Sequence, residues 1–374
     1  MSWSELAARE FGPVHEAVYL NHAASSPLPR RSADRLREYV DDRERVFRLY
    51  QAGRQDYDAA PLRAKLGRLL GGVPAERIAF VPTTTDGMAA ALNGVSWCPG
   101  DNVVVPANEF PGVLYACLHL AARGVEVRQV PVDQHLDLAR VAEAVDARTR
   151  AVAVSHVHWQ TGFRIDLAAL GAICRGGPLS IVDAIQSLGQ TPVEPAAHGI
   201  DVVVAGSYKW LMAVAGAGVL YVSERALAEL TPDRAGWTSV ATSVHGPPRL
   251  EWAAGAARWH VGGQADPVLI AMEPSVDLLL ELGIDRIAAH VQALTERLAV
   301  GVPAGIKVHS SRDRAAGTGI LSIGTGDLSR DAEIAKQLIT RGVIVARRGP
   351  GLRVSPHWHN TAADIDRLIE ELSR

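Results

Sequence analysis

Between residues 77 and 222 the chain repeats one pattern: a short apolar run, rich in valine, followed by an amphipathic stretch. The apolar runs fall at 77–81, 102–105, 125–130, 151–157, 179–182, 202–205 and 219–222. The clearest amphipathic stretches fall at 112–122, 136–144 and 167–175. Strands that are apolar on both faces and separated by helices predict βα units around a mostly parallel sheet. Ahead of the first run, 31–50 and 60–70 carry helical spacing. Behind the last run the rhythm changes. Long helical patterns at 266–282 and 284–298 lead into short strand patterns at 307–309, 318–323, 343–346 and 351–355, with helices at 330–341 and 362–372. Thr361 is placed to cap the last helix, with Asp364 three residues on. The turn-rich WHVGGQ, ending at Gln264, marks a break. These patterns predict an α/β protein: a large domain over 21–260 with a mixed, mostly parallel sheet, and a smaller α+β domain over 261–374. Residues 1–20 form an N-terminal segment expected to pack with the small domain.

Composition adds bounds. A chain of 374 residues exceeds the ~250–300 residues at which one core stops growing, which agrees with two domains. The formal net charge of −3 and the absence of a polybasic run argue against nucleic acid as a partner. No run reaches the ~20 apolar residues of a membrane span, and the start MSWSELAAREFG does not read as a signal peptide. The three cysteines, Cys98, Cys117 and Cys174, match neither a zinc pattern nor a disulfide framework. A cytoplasmic protein is the expectation.

Four places carry candidate chemistry. The run DVVVAG delivers Ser207, Tyr208 and Lys209 at the end of a buried strand, where desolvation makes a lysine amine a nucleophile; taken alone, a lysine reaching solvent is the commoner outcome. The strand LSIV delivers Asp183 at its C-terminal end, the side of an open α/β sheet where ligands bind. Asp183 can pair with a protonated ring nitrogen, or simply cap the next helix. Gln186 follows three residues on. The turn Val81-Pro-Thr-Thr-Thr-Asp-Gly87 joins a strand to a helix N-terminus, an anion site in which Thr84 and Thr85 supply hydroxyls; a plain helix cap is the alternative. Arg353, on the strand pattern GLRVS, can clamp a carboxylate in a bidentate fork or make a surface ion pair. The pairs His156/His158 and His357/His359 lack a third ligand by motif, so no metal is expected.

The ordered set TTTDG, NEFPG, SHVHWQTGFRIDL, VDAIQSLG, GSYKW and LRVSPHWHN resembles the class V aminotransferases. That group of fold-type I enzymes depends on pyridoxal 5'-phosphate (PLP) and includes cysteine desulfurases, kynureninase and isopenicillin N epimerase. The resemblance runs from YLNHAASSPLP to RVSPHWHNT, nearly the whole chain. It implies that Lys209 is the Schiff-base lysine, Asp183 the partner of the pyridine nitrogen and Gln186 the donor to the phenolic oxygen. It implies that Thr84 and Thr85 bind the phosphate, with hydroxyls from Ser207 and Tyr208, and that Phe110 stacks on the ring. Arg353 would hold the substrate carboxylate, with Asn21 and His22 reaching the substrate. Gly263 and Gln264 stand where a dimer partner's segment contributes, so a homodimer with a shared active site is implied.

Departures narrow the reaction. Position 89 is Ala where many relatives have Asn, and Trp159 stands where desulfurases tend to have Asn near the ring oxygen, which places Trp159 at the substrate side. No cysteine follows Cys174, so the persulfide-forming thiolate of desulfurases has no counterpart in the C-terminal part. The expected function is transamination or β-elimination of the C–S lyase type on a small or modified α-amino acid. Epimerisation of the isopenicillin N epimerase type, and a PLP-binding regulator without turnover, are the alternatives.

Overall fold

The computed structural model describes residues 2–12, 16–51, 53, 57–241 and 249–374. Its first strand is β1 (Val18–Tyr19). The seven apolar runs then become β2 (Ile78–Val81), β3 (Asn102–Pro106), β4 (Glu126–Val130), β5 (Thr149–Ser155), β6 (Leu179–Asp183), β7 (Val202–Gly206) and β8 (Gly218–Val222). They form one sheet in the order β2-β8-β7-β6-β5-β3-β4. β8 runs antiparallel to both of its neighbours, and the other pairings are parallel. Residues of β3, β6, β7 and β8 are buried throughout. Strands with apolar side chains on both faces have no wet face to offer, so helices cover the sheet on both sides and two cores form.

The C-terminal part forms a second sheet from β9 (Lys307–Val308), β10 (Leu321–Gly324), β12 (Ala346–Arg348) and β13 (Gly351–Val354), in the order β12-β13-β10-β9 and antiparallel throughout. β11 (Val343–Ile344) pairs in parallel with β1. Asn21 continues that contact by a bridge to Ser355. The last helix, Ala362–Leu372, starts with the anticipated capping box between Thr361 and Asp364.

Two patterns resolve differently from the sequence reading. The 31–50 pattern becomes two helices, Arg30–Glu44 and Val46–Gln51, because Arg45 leaves helical geometry (φ −110°, ψ 51°). The boundary drawn at 260/261 would assign the helix Asp266–Leu282 to the small domain. Its Val268, Leu269, Met272 and Val276 instead join the core under the large sheet. The helix packs on Arg30–Glu44 and Ala60–Leu69, since a pattern apolar nearly all round needs cover on more than one side. Among the described residues no helix is long and apolar enough to cross a membrane.

Candidate active site

The C-terminal ends of β6 and β7 lie side by side, with Asp183 in register with Val204. Asp183 therefore ends one strand where the turn carrying Lys209 leaves the next. Both side chains are buried. Burial pushes the Asp183 carboxyl up, against a backbone hydrogen bond from Ile185 N–H at 2.8 Å. Burial lowers the Lys209 amine; Asp183 opposes that shift, and Arg353 and Arg348 add to it. Both shifts disfavour the charged form of a group held in one buried pocket. The Lys209 Nζ lies 5.7 Å from the centre of the Phe110 ring and 5.8 Å from that of Tyr208.

Beside them opens the turn after β2. Thr83 caps the helix Thr84–Gly94, its hydroxyl accepting from Asp86 N–H at 3.0 Å. That leaves Thr84 free. Its Oγ1 is buried and has no hydrogen-bond partner among the described residues. A buried hydroxyl without a partner is costly, and a ligand oxygen at this helix N-terminus would satisfy it. Two glycines keep the approach open. A Cβ at Gly206 would stand 2.9 Å from Thr84 Oγ1, and one at Gly112 would stand 2.6 Å from Thr85 Oγ1 and 3.3 Å from the Phe110 ring. Thr85 itself is exposed.

Arg353 enters from β13 and is only 3% exposed. One Nη1 N–H donates to the Trp159 carbonyl at 2.7 Å, while Nε is buried without a partner among the described residues. Burial, with Arg348 nearby, lowers its guanidinium from 12.5 to about 10. No carboxylate pairs with it among the described residues. Trp159 packs edge-on against Phe110 at 5.6 Å, and its indole N–H is likewise buried and unpartnered. Lys209, Phe110, Trp159 and Arg353 thus follow one another as neighbours, and the free donors of Trp159 and Arg353 suit an anionic ligand.

Among the other expected residues, Ser207 and His22 are engaged within the protein. Ser207 donates its hydroxyl hydrogen to the Val214 carbonyl at 2.5 Å, closing its own loop, so it has no proton left for a phosphate. Gln186 gives one N–H to the Ala23 carbonyl at 3.0 Å and accepts from the Trp210 indole at 2.9 Å; one N–H remains for a ring oxygen. His22 is fully buried against Tyr19, Trp210, His357 and His359, with its Nδ1 on Ser26 Oγ at 2.7 Å, so it is an interior side chain. Asn21 stays beside the arginine strand through Ser355, and its Oδ1 is buried and free. Gly263 and Gln264 are exposed and line a cavity of about 360 Å³ with Val81, Pro82, Arg234 and Trp259, beside the turn after β2.

One residue escaped the sequence reading. Glu109, inside the quoted NEFPG, is buried and accepts from Phe110 N–H (2.7 Å), Ser155 N–H (2.7 Å) and Ser155 O–H (2.5 Å). A carboxylate directly before Phe110, the aromatic of the quoted motif, was the available signal.

The aminotransferase class-V family model matches residues 18–368. A probable cysteine desulfurase of Methanothermobacter thermautotrophicus is 28% identical, covering 99% of this chain and 97% of the relative. Isopenicillin N epimerase of Streptomyces clavuligerus is 28% identical, covering 95% and 94%. The solved cystine C-S lyase C-DES, in complex with cysteine persulfide, superposes with a TM-score of 0.87 over 97% of this chain and 99% of its own, at 24% identity. At that identity the likeness concerns the fold.

Proposed function

The chain belongs to the aminotransferase class-V family, and we propose that it acts at Cα and Cβ of a small or modified α-amino acid, by transamination or by β-elimination of the C–S lyase type. It is a PLP-dependent enzyme of the fold-type I architecture. The residues present fit the cofactor: the unsatisfied Thr84 hydroxyl suits its phosphate, Phe110 offers a ring face, Asp183 a carboxylate for the ring nitrogen, and Lys209 an amine for the aldehyde. PLP, when bound, supplies an electron sink for a carbanion at Cα.

The observation that carries the reading is Arg353, a buried guanidinium with an unpartnered Nε and no carboxylate of its own among the described residues. A substrate carboxylate is the counter-ion it lacks, and its fork fixes orientation as well as binding. Lys209, lowered by burial, is the base that removes the Cα proton once its amine is free. Asp183, buried at the end of β6, would offer its carboxylate charge as the counter-ion of a protonated ring nitrogen.

The cysteines stop at Cys174. Cys117 and Cys174 are buried with thiols pushed up to about 12, and Cys98 lies in the turn before β3. This supports a reaction other than persulfide-type desulfuration. Exposed Phe47, Tyr50, Tyr115 and Trp237, with the open Gly263-Gln264 loop, support a homodimer. Three free cysteines suit a cytoplasmic setting.

The test is to load purified protein with PLP and present a panel of amino acids. Pyruvate with ammonia or sulfide identifies a lyase, and conversion of the cofactor to pyridoxamine phosphate a transaminase. Solvent deuterium at Cα with loss of chirality would replace the proposal with epimerisation. Bound cofactor with no turnover would replace it with a regulatory role.

A further inference from the structure

Glu109 is a buried carboxylate that the reaction above leaves without a task. Its oxygens take three short hydrogen bonds, two from Ser155 and one from the Phe110 backbone. Ser155 is the in-register partner of Asp183 across the parallel β5–β6 ladder. In-register residues on neighbouring strands lie about 4.8 Å apart and point to the same face of the sheet. Glu109 therefore reaches across the Ser155 side chain toward the face that carries the Asp183 carboxylate.

We infer that Glu109 is a positioning residue of the cofactor pocket, forming with Asp183 a two-carboxylate patch that selects a ring bearing a protonated nitrogen, and holding Phe110 in its stacking position through the Phe110 N–H. The inference rests on the PLP reading and deepens it. The charges facing the patch are those of Lys209 from the turn after β7 and, beyond it, Arg353 and Arg348 from the small domain; the Tyr208 phenol faces Asp183, and the Cys117 thiol, from the helix that follows Phe110, faces Glu109. Two buried carboxylates against one nearby amine repel each other. Burial pushes the Glu109 carboxyl up and the charge of Glu109 pushes Asp183 up further. A cationic ring nitrogen at the patch relieves that repulsion; a neutral ring of the same shape does not.

The experiment compares the dissociation constants of PLP and of its 1-deaza analogue, in which C–H replaces the ring nitrogen. Both carry the aldehyde and the phosphate, so both meet Lys209 and Thr84 alike. The wild type is expected to prefer PLP. Glu109→Gln should narrow that preference by about tenfold or more, and Glu109→Asp, which retains the charge, should keep most of it. Equal weakening of both ligands in Glu109→Gln would overturn the inference and leave Glu109 as packing alone. Should Glu109→Gln not fold, Ser155→Ala strips a hydroxyl donor from the carboxylate and keeps the charge. The preference should then hold or widen, and its loss would overturn the inference. Failure of the PLP reading has a different signature, since the wild type would bind neither ligand.

Discussion

Replacing Arg353 with methionine should move stability and substrate binding in opposite directions. The fall of its guanidinium from 12.5 to about 10 corresponds to about 3 kcal/mol spent on holding a charge in the folded interior. Against this stands one charge-assisted hydrogen bond, Nη1–H to the Trp159 carbonyl, of roughly 1.5–3 kcal/mol. Methionine keeps most of the apolar stem. The net change in the ligand-free protein is therefore about 0–2 kcal/mol in favour of the variant, and its melting temperature should be unchanged or higher. Binding should fare the other way. A bidentate clamp of two charge-assisted bonds is worth roughly 3–5 kcal/mol, so amino-acid affinity should fall roughly 10²–10⁴-fold. Arg353→Lys, charged without the fork, should lie between. Melting curves of the ligand-free protein and titration of the bound cofactor's visible band with amino acid read the two effects. A clear drop in melting temperature with unchanged affinity would refute the reasoning and make Arg353 a structural arginine.

Further outcomes follow from the same geometry. Lys209→Ala should abolish covalent fixation of PLP by borohydride, read by mass spectrometry, while the ligand-free protein melts no lower, because a buried amine is lost. Thr84→Val removes a buried hydroxyl with no partner among the described residues, so the ligand-free protein should be as stable or more so while PLP affinity falls roughly 5–50-fold, measured by equilibrium dialysis. Stability should decline as pH falls from about 6.5 toward 4. Burial lowers His156 to about 3 and His260 and His357 to about 4, so below 6.5 the unfolded chain takes up protons that the folded chain refuses. His357→Gln should flatten that slope in melting curves recorded across the range; an unchanged slope would remove His357 from the account.

The positions of the seven large-sheet strands are legible in the sequence because each is a continuous apolar run, and burial on both faces leaves that mark in one dimension. The order of the site residues was readable too. Thr84, Asp183 and Lys209 each follow such a run directly, and an open α/β sheet brings strand ends together. Side-chain partners were not readable, since they depend on what lies across space. Ser207 and Tyr208 look alike as hydroxyl donors in GSYKW, yet Val214 takes the Ser207 proton. His22 reads as a polar tip near the substrate and is enclosed by Trp210, His357 and His359, which arrive from two distant segments. The domain boundary misled for a related reason: a turn-rich break says where the chain bends, and the helix beyond it, Asp266–Leu282, went back to the large core because its apolar surface found cover there. The sequence by itself determined the element pattern, the family resemblance and the candidate lysine, aspartate and arginine. Only the tertiary structure decided that Arg353 is buried without a counter-ion among the described residues, that Thr84 rather than Ser207 has a hydroxyl to spare, and that Glu109 is bonded to Ser155, the strand neighbour of Asp183. Each of these is a question of desolvation and of the neighbouring charge, and both are set by residues far away in the chain.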